Sequence, residues 1–266
     1  MSTGYARGIA SRQVSCYNRA VNPKWVIRKG DGRVKLNPEQ HWETGWNDYL
    51  AMLPELIGSY ASPDVLELGG GARPMWSLDE APANLNTYTV NDIDQRELDK
   101  LPPGYQTACF DVCGDASAFS ERYDVVFSRF LAEHVPDGYA MHRSVWQVLK
   151  PGGVAIHIIP TLYASPFVLN ALLPERLSYK LLVKVMPFRV TGKFPAHYSM
   201  CRGDTKKMKA AFDKIGYSQT DIRTFYGHFY YDSIPGLKQI EDAFSALAAR
   251  KNWSWYSSYA VIVARK

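Results

Sequence analysis

The stretch DVLELGGGARPMW, residues 64–76, constrains the fold of this 266-residue chain more than any other. An apolar run carrying one carboxylate, Glu67, stops at three successive glycines, Gly69, Gly70 and Gly71, with Pro74 just beyond. A buried strand that ends in consecutive glycines does so where the backbone must turn sharply or let another group come close. The question is what comes close.

The rest of the chain supplies a frame for that loop. Strand-like runs recur in NTYTVNDI, QTACFDV, YDVVFSRF and GGVAIHIIP, and again in TDIRTFYGHFYY and the final SSYAVIVARK. Between them lie helix-like segments. In NDYLAMLPELIGSY, Leu50, Leu53 and Leu56 fall at helical spacing, and DGYAMHRSVWQVLK is stopped by Pro151-Gly152-Gly153. TKKMKAAFDKIGY is capped by Thr205 and closed at Gly216. Alternation of this kind predicts an α/β fold, a mostly parallel sheet covered by helices on both faces. The last strand, close to the end of the sequence, suits an edge position in antiparallel orientation. In open parallel sheets ligands bind beyond the carboxyl ends of the strands, where the strand order reverses. The glycine loop sits at such an end. Its N–H groups are expected to face a ligand, with Arg73 and Pro74 opening a helix whose N-terminus favours negative charge.

Bulk properties exclude other classes. Apolar residues make up 46% of the chain and charged ones 21%, an ordinary globular composition, and no apolar stretch is long enough to span a membrane. A net charge of +5 is too small for the basic stripe of a nucleic-acid binder, although NPKWVIRKGDGRVKLNPEQHWETGW, rich in Trp and basic residues, could serve as an RNA arm or as a cover over a pocket. The cysteines, Cys16, Cys109, Cys113 and Cys201, lack the paired spacing of a zinc site or a disulfide framework, so reduced thiols and a cytoplasmic location are expected, and no metal.

Three features favour an adenosyl ligand over a dinucleotide. Glu67, two residues before the first glycine, would attract an ammonium and repel a pyrophosphate. Pro74 replaces the final glycine of the dinucleotide pattern. Asp92, ending TYTVND, is spaced to accept ribose hydroxyls, and Asp111 in CFDV could accept from an adenine amino group.

Taken together, VLELGGG, Asp92, FDV with Asp111, YDVVFSRFLAEHV and VLKPGG resemble the class I S-adenosylmethionine-dependent methyltransferases of the bacterial small-molecule type, over roughly residues 62–160. The resemblance implies a Rossmann-like, seven-stranded, mostly parallel sheet with an antiparallel C-terminal strand. It divides the chain into an N-terminal helical cover (1–61), a cofactor-binding half (62–160), a helical lid or acceptor insert after the fifth strand (161–204) and a C-terminal completion of the sheet (205–266). It further implies that Glu67 and the loop Gly69, Gly70 and Gly71 hold the methionyl end of S-adenosyl-L-methionine, with Ser128 and Arg129 lining the same side. Asp92 would hold the ribose, Ile93 would pack on the adenine, and Asp111 would bind its amino group beside Val112. Arg73 departs from the family, which often has a glycine there.

Methyl transfer needs an acceptor aligned behind the sulfonium methyl and, for a hydroxyl or ammonium acceptor, a base. His134, directly after the fourth strand, is the first candidate; His197, Tyr198 and His228 are the alternatives, and His157 reads as a core residue. In the insert, Leu177, Leu181 and Val185 follow one helical stripe and Arg176, Lys180 and Lys184 another. This basic amphipathic segment reads as a lid on the acceptor site; the alternative is peripheral membrane contact through residues 174–189. The expected activity is methylation of a small-molecule acceptor, a natural-product or glycan precursor. A lipid-linked acceptor at a membrane, or a catalytically silent cofactor-binding scaffold, are the alternatives, and the oligomeric state is not readable.

Overall fold

The computed structural model describes residues 40–174, 176–180 and 194–266. Most of the predicted N-terminal cover and the basic stripe beyond residue 180 therefore lie outside the described residues.

Seven strands form one sheet: β1 (Asp64–Leu68), β2 (Thr87–Asp92), β3 (Gln106–Cys109), β4 (Tyr123–Arg129), β5 (Leu149–Pro160), β6 (Gln219–Phe225) and β7 (Tyr259–Arg265). Their order is β3-β2-β1-β4-β5-β7-β6. β1 pairs in parallel with both β2 and β4, so the strand order reverses around it, and the glycine loop leaves the sheet at that switch point. Both faces of β1 and β4 are buried, as expected of parallel strands covered on two sides.

The final strand is antiparallel, as expected, but it is not an edge. β7 lies between β5 and β6 and pairs antiparallel with each. Its residues suit this placement: Tyr259, Ala260, Val261, Ile262 and Ala264 are all buried, so both faces of the strand are covered. β6, carrying Gln219, Asp221 and Arg223, tolerates the edge instead.

Helix α1 (Trp42–Gly58) packs across β5, β6 and β7, burying Tyr49, Met52, Leu53, Leu56 and Ile57. Gly45 lets it approach closely, because a Cβ there would fall 2.5 Å from the Phe225 ring. The short α2 (Gln95–Leu98) follows β2 and is capped by Asp94. α3 (Gly138–Val148) precedes β5 and is capped by Asp137, whose carboxylate accepts from Tyr139 and Ala140. α4 (Ser165–Leu172) opens the insert. Residues 176–180 continue it as helix, but Leu177 is 51% exposed while Ser178 is buried, so the predicted apolar stripe begins on the solvent side.

α5 (Lys206–Ile215) has the predicted cap, Thr205 Oγ1 accepting from Met208, and ends at left-handed Gly216. α6 (Pro235–Arg250) is unanticipated. It is turned against its own pattern: Glu241, Ser245 and Ala248 are buried while Leu237, Ile240, Phe244 and Leu247 are exposed.

One expectation at the loop itself is corrected. Residues 69–86 contain turns and bends and no helix. Pro74 and Pro82 lack N–H groups, and the Met75 N–H goes to the Glu67 side chain at 2.7 Å rather than to a helical carbonyl. The Asn84 amide donates to the carbonyls of Ile57 and Tyr60, tying the loop to the end of α1.

Candidate functional site

The glycine loop is shaped by its neighbours. Gly69 and Gly71 have φ of +66° and +47°, the left-handed region that glycine enters without strain. A Cβ on Gly71 would come within 2.6 Å of Asp92 Oδ2, and one on Gly69 within 2.9 Å of Leu131. The loop therefore passes directly under the carboxylate ending β2. Its N–H groups do not face outward as expected. Gly69 donates to Asn91 Oδ1, and Gly70 and Gly71 donate to the Asn91 carbonyl. Buried Asn91 is thus the clamp of the loop, its amide anchored on the carbonyls of Ala108 and Phe110 of the neighbouring strand and the residue following it.

At the tip of β2, Asp92 is half-buried, and its Oδ1 accepts from the Asp94 N–H at 2.9 Å. Ile93 follows it with 69% exposure, a large apolar side chain left uncovered at the carboxyl edge of the sheet. Asp111 lies two residues beyond β3, exposed, with Oδ1 accepting from Cys113; Val112 beside it is buried. A carboxylate above a glycine cradle, an exposed aliphatic side chain and a second carboxylate along one edge make a surface suited to hydroxyls and a flat base. The residues present fit a nucleoside-bearing cofactor.

On the other side of the switch point the arrangement differs from the simple reading. Glu67 is 1% exposed and accepts from Met75 N–H, from the Tyr88 hydroxyl and from Arg129 Nη2 at 2.7 Å. Burial and the Glu67 charge both push the Tyr88 phenol upward, so it stays a donor. Ser128 is fully buried; its Oγ lies 2.8 Å from His157 Nδ1 and its carbonyl accepts from the Tyr49 hydroxyl. Ser128 thus packs into the core, and Arg129, with a 26% exposed side chain, is the residue of this pair that reaches the surface.

Beyond β4 an aromatic wall rises that sequence reasoning missed. Phe130, with φ +49°, stacks on Trp46 at 5.5 Å and meets Tyr259 at 6.0 Å. Tyr259 touches Phe167, which touches Tyr198 and Tyr230. The only signal available was aromatic richness near residues 42–46 and at the ends of strands.

The four candidate bases fall around this wall. His134 and the loop containing His197 and Tyr198 are brought together, because the Glu133 carbonyl accepts the N–H groups of both His197 and Tyr198. His134 Nδ1 lies 2.8 Å from the Pro195 carbonyl. A carbonyl can only accept, so Nδ1 carries a hydrogen and the neutral ring has its lone pair on Nε2. His197 is exposed. Tyr198 is buried with its hydroxyl accepting from Asn170, and burial raises its phenol well above the ordinary value, so it stays protonated near neutrality. His228 stands apart, buried 3.5 Å from Glu241 and edge-on to Tyr230 and Tyr231. His157, expected to be a satisfied core residue, is fully buried, but its Nε2 lacks a hydrogen-bond partner among the described residues.

Comparison with known proteins agrees with this geometry. Residues 66–157 match the methyltransferase domain family. Over 145 residues the chain is 30% identical to a ubiquinone biosynthesis O-methyltransferase of Pseudomonas putida GB-1, covering 50% of this chain and 56% of that protein. The chain spans about half the length of the curated relatives it matches. Among solved structures, a SAM dependent methyltransferase from Archaeoglobus fulgidus superposes with a TM-score of 0.50 at 13% identity, covering 81% of this chain and 92% of that one. A protein from Listeria monocytogenes superposes at 0.52 and 16% identity, covering 83% and 96%. The likeness to these structures establishes the fold, and the domain match joins it to the glycine loop and the Asp92 edge. Residues 66–157 thus carry a methyltransferase domain match, set within a sheet that shares the fold of S-adenosylmethionine-dependent methyltransferases.

Proposed function

We propose that this protein transfers a methyl group from S-adenosyl-L-methionine to the hydroxyl or amine of a small molecule, a natural-product or glycan precursor, in the cytoplasm. The observation that carries the reading is the edge at β2, where Asp92 stands over the Gly69–Gly71 cradle with Ile93 exposed beside it. S-adenosylmethionine, when bound, supplies a methyl group on a sulfonium, already activated for in-line displacement. Asp92, its Oδ1 held by Asp94, would accept from the ribose hydroxyls. Ile93 would cover one face of the adenine, and Asp111 would take its amino group with Val112 alongside. Residues 62–160 would thus hold the cofactor, and the aromatic wall from Trp46 to Tyr230 would receive the acceptor, with the 161–204 insert proposed as its lid to exclude water.

A hydroxyl acceptor is favoured by the curated relatives, which are named as O-methyltransferases. Such an acceptor gives up a proton, and His134 is the residue best prepared to take it, with its Nε2 lone pair fixed by the bond from Nδ1 to Pro195. His197 and His228 are the alternates. The free thiols of Cys109, Cys113 and Cys201 suit a reducing compartment.

Titration calorimetry tests the cofactor assignment. The protein should bind S-adenosylmethionine and its demethylated product, and Asp92→Ala should weaken both by roughly 1.5–3 kcal/mol through loss of charge-assisted bonds to ribose. Binding of neither ligand by the unaltered protein would remove the proposal, and tight NADH binding in their place would put a dinucleotide in the site.

A further inference from the structure

The methionyl end of the cofactor carries two opposite charges, an ammonium and a carboxylate. Glu67 is the obvious partner for the first, yet its surroundings take it out of reach. Its Oε1 accepts from Arg129, its Oε2 accepts from both Met75 and Tyr88, and only 1% of the residue is exposed. A carboxylate so occupied and so buried has no open face for an ammonium. The loop amides are committed as well. The N–H groups of Gly69, Gly70 and Gly71 point to Asn91, that of Arg73 to the Gly70 carbonyl and that of Met75 to Glu67, while Pro74 has none. A carboxylate arriving at this loop meets few of the backbone donors that usually bind anions.

Arg129 supplies what the loop does not. It lies one residue beyond the Leu68–Ser128 pair, level with the first loop glycine, on the β4 side of the switch point. Its Nη2 donates to Glu67 at 2.7 Å and to the Arg73 carbonyl at 3.0 Å. Two fixed acceptors on one nitrogen hold the plane of the guanidinium, and Nε and Nη1 carry three further N–H bonds in that plane. A quarter of the side chain is exposed. Asp92 and Arg129 stand two strand spacings apart, ~10 Å, on either side of the loop, a separation matched to a ribose carrying a methionyl chain.

We infer that Arg129, oriented by Glu67, binds the methionyl carboxylate of the cofactor, and that Glu67 is a positioning residue that does not touch the ammonium. The inference rests on the proposed use of S-adenosylmethionine and deepens it. Arg129 is the cofactor-specificity residue on the β4 side, selecting ligands with a carboxylate.

Calorimetry with decarboxylated S-adenosylmethionine, which keeps the adenosine, sulfonium and ammonium, isolates the interaction. The unaltered protein should bind S-adenosylmethionine about 10–100-fold more tightly than the decarboxylated compound, as expected for a charge-assisted bond. Arg129→Met should bind the two compounds alike, with affinity for the decarboxylated one near that of the unaltered protein. Arg73→Met, which changes the exposed arginine of the same loop, should keep the preference. Absence of preference in the unaltered protein overturns the inference, whatever the variant's folding. So does equal weakening of both compounds in Arg129→Met, which would mark the residue as scaffolding for the loop, or loss of preference in Arg73→Met alone. If the unaltered protein binds neither compound, the cofactor assignment itself fails.

Discussion

A histidine whose Nδ1 donates to a peptide carbonyl has its tautomer set by the backbone, and His134 is in this position against Pro195. If its Nε2 receives the acceptor's proton, His134→Ala should lower turnover by ~10²–10⁴-fold while leaving cofactor affinity little changed, because the residue lies outside the Asp92 and Arg129 edges. His134→Gln keeps a hydrogen-bonding side chain without the basicity. Near-normal turnover in that variant, measured by product formation at saturating cofactor, would make His134 an orienting residue and shift attention to His197 and His228. At this scale the sequence was legible where placement depends on position along a strand. Asp92 ends β2 with Ile93 directly after it, and the glycines turn where they should. What could not be read was pairing across the sheet. Glu67 and Arg129 are 62 residues apart, and only the parallel register of β1 with β4 brings one carboxylate under one guanidinium. For Ser128, expected on the ligand side, the neighbour in β5 was equally hidden: it pairs with His157 and both turn into the core.

Elements were legible where local chemistry marks both ends. α5 runs between its Thr205 cap and Gly216, and α3 follows Asp137. The helix expected after the glycine loop is absent because Glu67 and two prolines take away the bonds it needs. α6 escaped notice because its buried face is polar, gathered around Glu241 with Ser165, Ser245 and Tyr256. The contact of α3 with β5 carries a prediction of its own. His142 on α3 and His157 on β5 are fully buried with ring centroids 5.2 Å apart, and neither nitrogen of His142 has a hydrogen-bond partner among the described residues. Burial lowers the His142 pKa from 6.5 to about 4, and burial together with His142 holds that of His157 well below its ordinary value. Both rings are therefore neutral in the folded protein and charge when it unfolds. Between pH 6.5 and about 4 the unfolded chain binds more protons, so this contribution to stability is full above 6.5 and is lost as pH falls through that window. At about 1.4 kcal/mol per pH unit, the His142 contribution alone is worth about 3 kcal/mol. Urea unfolding of His142→Leu across pH 4–7 should show a flatter acid limb than the unaltered protein. An unchanged limb would mean that the acid sensitivity lies in other groups.

For the molecule as a whole, the alternation of strands and helices foretold the α/β sheet, and the close of the sheet was the part mistaken. Proximity to the end of the sequence suggested an edge for the last strand, but Tyr259–Arg265, apolar on both faces, lies between β5 and β6. That insertion matters for the site, because it brings Tyr259 beside Phe130 and Phe167 and completes the aromatic wall. The acceptor itself is written least plainly in the sequence, because the wall is assembled from α1, the ends of β4 and β7, α4 and the turn after β6, segments far apart in the chain. In the proposed reaction a methyl group leaves S-adenosylmethionine and arrives on a small molecule, and this transfer can be followed as an isotope label. It is tested most directly by incubating the protein with deuteromethyl-labelled S-adenosylmethionine and a metabolite extract, then resolving aqueous and organic phases by mass spectrometry. A protein-dependent species heavier by one labelled methyl group should appear in the aqueous phase and be lost in Asp92→Ala at limiting cofactor. Label confined to the organic phase would replace the acceptor with a lipid-linked one, and cofactor binding without any labelled product in either phase would contradict the claim and leave a silent cofactor-binding domain.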